Sequence, residues 1–114
     1  MIYLASPYTP LGVTDPLQRA IIREDRFSAV CNAAAKLMQA GKVTFCPIAH
    51  SHPIEKHFVS PEGGEFWKKQ DEPYLNFCTE LVVLMLPGWE ESTGVQHEIA
   101  EAKLRKIPIS YMEP

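Results

Sequence analysis

The order of structural signals along this 114-residue chain predicts an α/β fold: a three-layer, flavodoxin- or Rossmann-like domain on a mainly parallel sheet of about four strands. Strand and helix signals alternate as βαβαβαβ, which within one sheet implies right-handed crossovers and helices on both faces. The run Leu81-Val82-Val83-Leu84-Met85-Leu86 is continuously apolar and of strand length, as expected of a parallel strand covered on both sides. Loop-forming segments follow these strands, and sheets of this kind bind ligands beyond the carboxyl ends of their strands.

Each element has its own signal. Ile2 to Ala5 reads as the first strand, ended by the loop residues Ser6-Pro7-Tyr8-Thr9-Pro10-Leu11-Gly12. Asp15-Pro16 looks like an N-cap followed by proline at the first helical position, with Gln18 where a capping-box partner belongs. In the helix that follows, Ala20, Phe27, Val30, Cys31, Ala34, Leu37 and Met38 recur at helical spacing. Arg19, Arg23, Arg26 and Lys36 mostly hold the other positions, and Gly41 is the expected stop. Val43 to Cys46 is a short strand broken by Pro47, and Ile48-Ala49-His50-Ser51-His52-Pro53 is expected to be a histidine-bearing loop. Residues 54 to 64 read as irregular and end in Gly63-Gly64. Phe66, Trp67, Tyr74, Leu75 and Cys78 then suggest a helix that Pro73 breaks or restarts near Asp71. Leu81 to Leu86 should be the central strand, followed by the loop Pro87-Gly88-Trp89-Glu90-Glu91. Ser92 and Thr93 are cap candidates for a helix reaching about Arg105, and Ile107 to Tyr111 closes as the last strand.

Composition bounds the function. Apolar residues make up 46% and charged residues 22% of the chain, both near globular averages, so one soluble domain over residues 1–114 is expected. No apolar run approaches the roughly 18 residues that cross a bilayer, so no membrane partner is expected. A net charge of −3 argues against a nucleic acid polymer as partner, although a small ligand could meet a local positive site. The opening residues run directly into a strand with no basic region or cleavage site, and Cys31, Cys46 and Cys78 read as buried thiols in a reducing compartment. A cytoplasmic location is expected.

The strand-end rule gathers the loops at Ser6 to Gly12, Pro47 to Pro53 and Pro87 to Thr93 on one edge. Glu98 borders the apolar stripe of Val95, Ile99 and Ala102 on the helix behind that edge. It is either a sheltered carboxylate kept ionised by the helix dipole, suited to a nucleophile, or a rim carboxylate paired with Arg105 or Lys103. Thr93 and Gln96 fit a capping box, and the same helix start, with Ser92 and Gly94, would attract an anion. Asp71 is either an N-cap or a second carboxylate at the ligand edge. His50, Ser51 and His52 lack an accompanying cysteine pair or HExxH pattern, which favours a ligand-facing or hydrogen-bonded histidine over a metal site. His97 is expected to face solvent. Tyr3, Tyr8, Trp67 and Trp89 offer aromatic surfaces for a planar base or for the core, with Trp89 the strongest candidate for a ligand contact.

The string Ser92-Thr93-Gly94-Val95-Gln96-His97-Glu98, behind a hydrophobic strand, resembles the serine-x-glycine-x-x-x-glutamate segment of the nucleoside 2-deoxyribosyltransferase superfamily, which includes 2′-deoxynucleoside 5′-phosphate N-hydrolases. Tyr3-Leu4-Ala5-Ser6-Pro7 is similar to its first strand and loop, and Asp71 matches its other acidic position. Ser6-Pro7-Tyr8, Pro47 to Pro53 and Leu86 to Glu90 look more closely like a family of short proteins placed near these enzymes. The resemblance implies an enzyme that breaks an N-glycosidic bond in a nucleoside or nucleoside 5′-phosphate, as a hydrolase or a deoxyribosyltransferase. It implies Glu98 as nucleophile, Asp71 and Tyr3 as groups that hold or protonate the substrate, and Ser92 and Gly94 as phosphate ligands. Ser6, Pro7, Tyr8, His50 and Trp89 are expected to bind substrate, with no metal and no cofactor, in a homo-oligomer. The alternatives are a nucleotide-binding module of the same fold that does not cleave its ligand, and a histidine-dependent metallohydrolase.

Overall fold

In the computed structural model, which describes residues 1–61 and 64–114, β1 (Ile2–Ala5) runs parallel to β2 (Thr44–Phe45) on one side and β3 (Glu80–Leu84) on the other. With β4 (Ile109–Met112) beyond β3, the sheet is four-stranded and all parallel, in the order β2-β1-β3-β4. The apolar run at residues 81–86 therefore supplies one of two interior strands, and β1 is the other.

Side chains alternate across this sheet as a strand requires. Ile2, Leu4, Val82 and Leu84 point to one face and meet Val30, Ala33 and Ala34 of α1 (Pro16–Gln39) and Ile48 of α2 (Pro47–Glu55). Tyr3, Ala5, Leu81 and Val83 point to the other and meet Leu75 of α3 (Glu65–Phe77) and Val95, Ile99 and Ala102 of α4 (Thr93–Leu104). The result is the expected three-layer, Rossmann- or flavodoxin-like arrangement.

Asp15 caps α1, accepting a hydrogen bond from the Gln18 amide, and Gly41 follows the helix with φ of 85°, where a side chain would be strained. At 24 residues, α1 is about 36 Å long, far longer than strands of four or five residues. Its first turns consequently overhang the carboxyl edge of the sheet. That explains why Ala20 is exposed despite its helical spacing, and why Leu17 and Ile21 are 70% and 54% exposed. Met38 is likewise exposed near the other end.

Several expectations are corrected. Residues 47–55 form a helix, with Pro47 in its first turn where no amide donor is needed; Pro53 comes too near the end to abort it. Ile54 and Glu55 thus belong to α2, and the expected Gly63 lies outside the described residues. Helix α3 runs unbroken past Pro73: the proline withholds one bond from the carbonyl of exposed Lys69, while Leu75 and Cys78 anchor the following turn to the core. Asp71 therefore sits mid-helix and caps nothing. The cap of α4 is Ser92, whose hydroxyl accepts from the Val95 amide; Gln96 instead donates to the Glu90 carbonyl, so the Thr93–Gln96 box does not form.

Candidate functional site

A cleft of about 1060 Å³ opens at the carboxyl edge of the sheet. The floor comes from β1 and the residue after it, Tyr3 and Ser6. One wall is α4, whose Ser92, Thr93, Gly94, His97 and Glu98 line the space. Next to it α3 contributes Trp67, Lys68, Asp71, Glu72 and Leu75, residues brought to one helix face by their three- and four-residue spacing. The opposite wall is built from α2, through Ile48, Ser51 and Glu55, and from the overhanging turns of α1, through Arg19 and Arg23. Tyr8 and Thr9 join these walls.

Glu98 reaches the cleft because Val95, Ile99 and Ala102, its neighbours along the helix face, are buried against the sheet. It is densely surrounded by protein and only half-buried, its remaining exposure lying at the cleft wall. Burial raises its carboxyl to about 8, with the nearby charge of Asp71 adding to the rise and the Tyr3 hydroxyl, turned toward Glu98, opposing it. Burial and the Asp71 charge thus act against the ionised form that the helix start is expected to favour. Burial likewise raises Asp71 to about 6. Tyr3 is shifted upward by burial and by the same two carboxylates, so its phenol stays protonated. Arg105 pairs with Glu101 at 3.4 Å and Glu72 at 3.6 Å, leaving Glu98 out of the rim ion pairs.

The cleft thus brings together Glu98, Asp71, Tyr3, Ser6, Tyr8, Ser92 and Gly94. It does not include Pro7, which is fully buried, or Trp89, which packs on the core beside α4 with its ring 5.5 Å from that of Tyr111. His50 is exposed and faces a smaller recess with Phe58, Phe66 and Tyr74. These placements follow from the helical form of residues 47–55 and from the sheet-side anchoring of Trp89. His97, expected in solvent, lines the cleft instead.

His52 is buried between α1 and α2. Its Nε2 lies 2.7 Å from Glu24 Oε2, its Nδ1 lies 2.5 Å from the Tyr8 hydroxyl, and its ring stacks on Phe27 at 4.3 Å. The His52 hydrogen bond is the main cause holding Glu24 below its ordinary carboxylate value. Both ring nitrogens are thereby engaged, and among the described residues no cluster of His, Cys, Asp and Glu forms a metal site. Cys46 and Cys78 are buried and Cys31 half-buried, all free; burial pushes the Cys46 thiol up to about 12.

Sequence reasoning missed Arg19, Arg23, Glu55 and Lys68. Arg23 donates to Thr9 Oγ1 and lies 5.3 Å over the Tyr8 ring. Among the described residues neither Arg19 nor Arg23 meets a carboxylate within 4 Å, which leaves positive charge at the cleft of an acidic protein. The available signal was the i, i+4 spacing of the two arginines in turns too far from the sheet to be covered by it.

A four-stranded parallel sheet with helices on both faces and a charged cleft at its carboxyl edge defines a Rossmann-like α/β domain. The chain belongs to the family described as a domain of unknown function (DUF1937), whose pattern it matches over residues 1–114. No curated protein matches it. Among the described residues, no helix is long and apolar enough to cross a membrane.

Proposed function

We propose that this protein cleaves the N-glycosidic bond of a nucleoside or nucleoside 5′-phosphate, with Glu98 as the nucleophile. The observation that carries the proposal is the meeting of Glu98, Asp71 and Tyr3 in one cleft of nucleotide size. Departure of a base leaves an oxocarbenium-like centre that a carboxylate must stabilise, while the leaving base needs a proton. With the two carboxyls raised to about 8 and about 6, the pair holds a single proton across the neutral range. In the free protein that proton rests mainly on Glu98, so Glu98 attacks only once the proton has passed to Asp71 or to the departing base.

The surrounding chemistry supports the substrate class. Trp67 and Tyr8 offer faces to a planar base. The amides of Thr93 and Gly94 at the start of α4 suit a phosphate, and Arg19 and Arg23 add positive charge from the opposite wall. The similarity to nucleoside 2-deoxyribosyltransferases, carried by Ser92, Gly94 and Glu98, agrees with this reading. We extend it to a homo-oligomer in the cytoplasm, in which a second copy covers exposed Leu17 and Ile21 beside the cleft.

The test is a panel of ribo- and deoxyribonucleosides and their 5′-monophosphates, incubated with the protein and with Glu98→Ala, followed by assay of free base. Base release by the unmodified protein alone is expected. Equal release by both would overturn the nucleophile assignment, and intact substrates that nonetheless bind would favour a non-catalytic nucleotide-binding module.

A further inference from the structure

The hydrogen bonds of the row Glu24–His52–Tyr8 have no part in the base binding proposed for the Tyr8 ring. It begins at the protein surface, where Glu24 is 56% exposed, passes through His52, 6% exposed, and ends at Tyr8 on the cleft wall. Ionised Glu24 accepts a hydrogen bond from His52 Nε2, which makes Nδ1 of the neutral ring an acceptor. The Tyr8 hydroxyl, 2.5 Å away, is then the donor to Nδ1. Its oxygen keeps lone-pair capacity for a further donor. Phe27 stacked on the imidazole and Lys56 Nζ at 3.5 Å from Glu24 hold the row in register. Glu55 and the Arg23 guanidinium are the other charged groups facing Tyr8. A buried histidine with an anion on one nitrogen and a hydroxyl on the other has the geometry of a base that draws a proton through that hydroxyl.

We propose that Glu24, His52 and Tyr8 form a proton relay that activates water against the sugar bound to Glu98, making the protein a hydrolase rather than a base-exchange enzyme. The inference rests on the glycosyl-enzyme reading above. In this step a water oxygen bonds to the anomeric carbon, and the bond from that carbon to the Glu98 oxygen breaks with its electron pair returning to the carboxylate. The water proton passes to the Tyr8 oxygen as the phenolic proton passes to His52 Nδ1. The imidazolium is stabilised by Glu24, which opens to solvent and lets the proton leave. Tyr8 is the catalytic residue of the relay; His52 and Glu24 are positioning residues that act through it.

The test uses Tyr8→Phe, which keeps the His52–Glu24 tie and the Phe27 stack, alongside His52→Gln, with whichever nucleoside or 5′-monophosphate the wild-type protein cleaves. Expected in both variants is a first-turnover burst of base, then steady-state turnover slower by about 100-fold or more. Sugar-bound protein should accumulate by intact mass. Azide, an anion that needs no deprotonation, should restore turnover as glycosyl azide, a rescue that repair of a purely structural defect would not give. Unchanged steady-state turnover in Tyr8→Phe, or slow turnover with neither accumulation nor azide rescue, overturns the relay while leaving Glu98 in place. A wild-type protein that releases no base from any substrate overturns both.

Discussion

Asp71 on α3 and Glu98 on α4 line one cleft, close enough that the charge of Asp71 adds to the upward pressure of burial on Glu98. Burial raises both carboxyls, Asp71 to about 6 and Glu98 to about 8, and the first prediction concerns their protons. The pair is doubly protonated below about 6 and doubly ionised above about 8. Base release measured as kcat/KM should therefore be bell-shaped, with limbs near those values, whichever carboxyl holds the proton at the optimum. Glu98→Gln and Asp71→Asn should each abolish the bell. A flat profile from pH 5 to 9 would exclude the pair from the reaction.

Stability should fall with pH where activity passes through a maximum. Glu98 has a folded-state pKa above its ordinary carboxylate value, so its contribution to stability is fully present below about 4.5 and is lost as pH rises toward 8. Every tenfold gain in proton affinity on folding corresponds to about 1.4 kcal/mol, and the coupling to Asp71 makes a few kcal/mol an upper bound. Glu98→Gln removes the ionising group. Its melting temperature should exceed that of the wild type by several degrees at pH 8, with the gap closing by pH 4. A variant less stable at both pH values would contradict the burial account.

The arginines at the cleft should matter for charged substrates. Arg19→Ala and Arg23→Ala are each expected to raise KM for a nucleoside 5′-monophosphate by about 10-fold, with a smaller effect on the uncharged nucleoside. Equal effects on the two substrates would show that the arginines shape the cleft without reading charge.

Ser92 combines a structural and a proposed binding role. Ser92→Ala should cost about 1 kcal/mol in denaturant unfolding, because the Val95 amide loses its acceptor. Leu4→Ala, deep inside the sheet, should cost about 2–5 kcal/mol, which sets the scale for a core defect. A Ser92→Ala loss as large as that of Leu4→Ala would mean that the hydroxyl does more than cap α4.

These residues also show what could be read from the chain. The apolar run at 81–86, the Asp15-Pro16 cap and the strand-end loops were enough to predict a parallel sheet and the edge at which a cleft would form. The helical spacing of Val95, Glu98 and Ala102 brought Glu98 to that edge, whereas Tyr3 entered through the family resemblance. Prolines were less informative. Pro47 and Pro73 read as breakers, yet one occupies the first turn of α2 and the other costs a single hydrogen bond in α3, which is anchored by Leu75. The contacts of His52 lie 28 and 44 residues away, at Glu24 and Tyr8, beyond any local pattern. Arg19 and Arg23 were hidden for a different reason: their place at the cleft depends on α1 being longer than the sheet it covers.

The most direct measurement is peptide mapping of the sugar adduct formed with a nucleoside, or its 5′-monophosphate, carrying fluorine beside the anomeric carbon. Fluorine there disfavours the oxocarbenium-like centre and slows both halves of the reaction, so the intermediate should persist. The account predicts a stoichiometric adduct on the peptide containing Glu98, absent from Glu98→Ala. An adduct on another residue, or base release undiminished in Glu98→Ala, would contradict it.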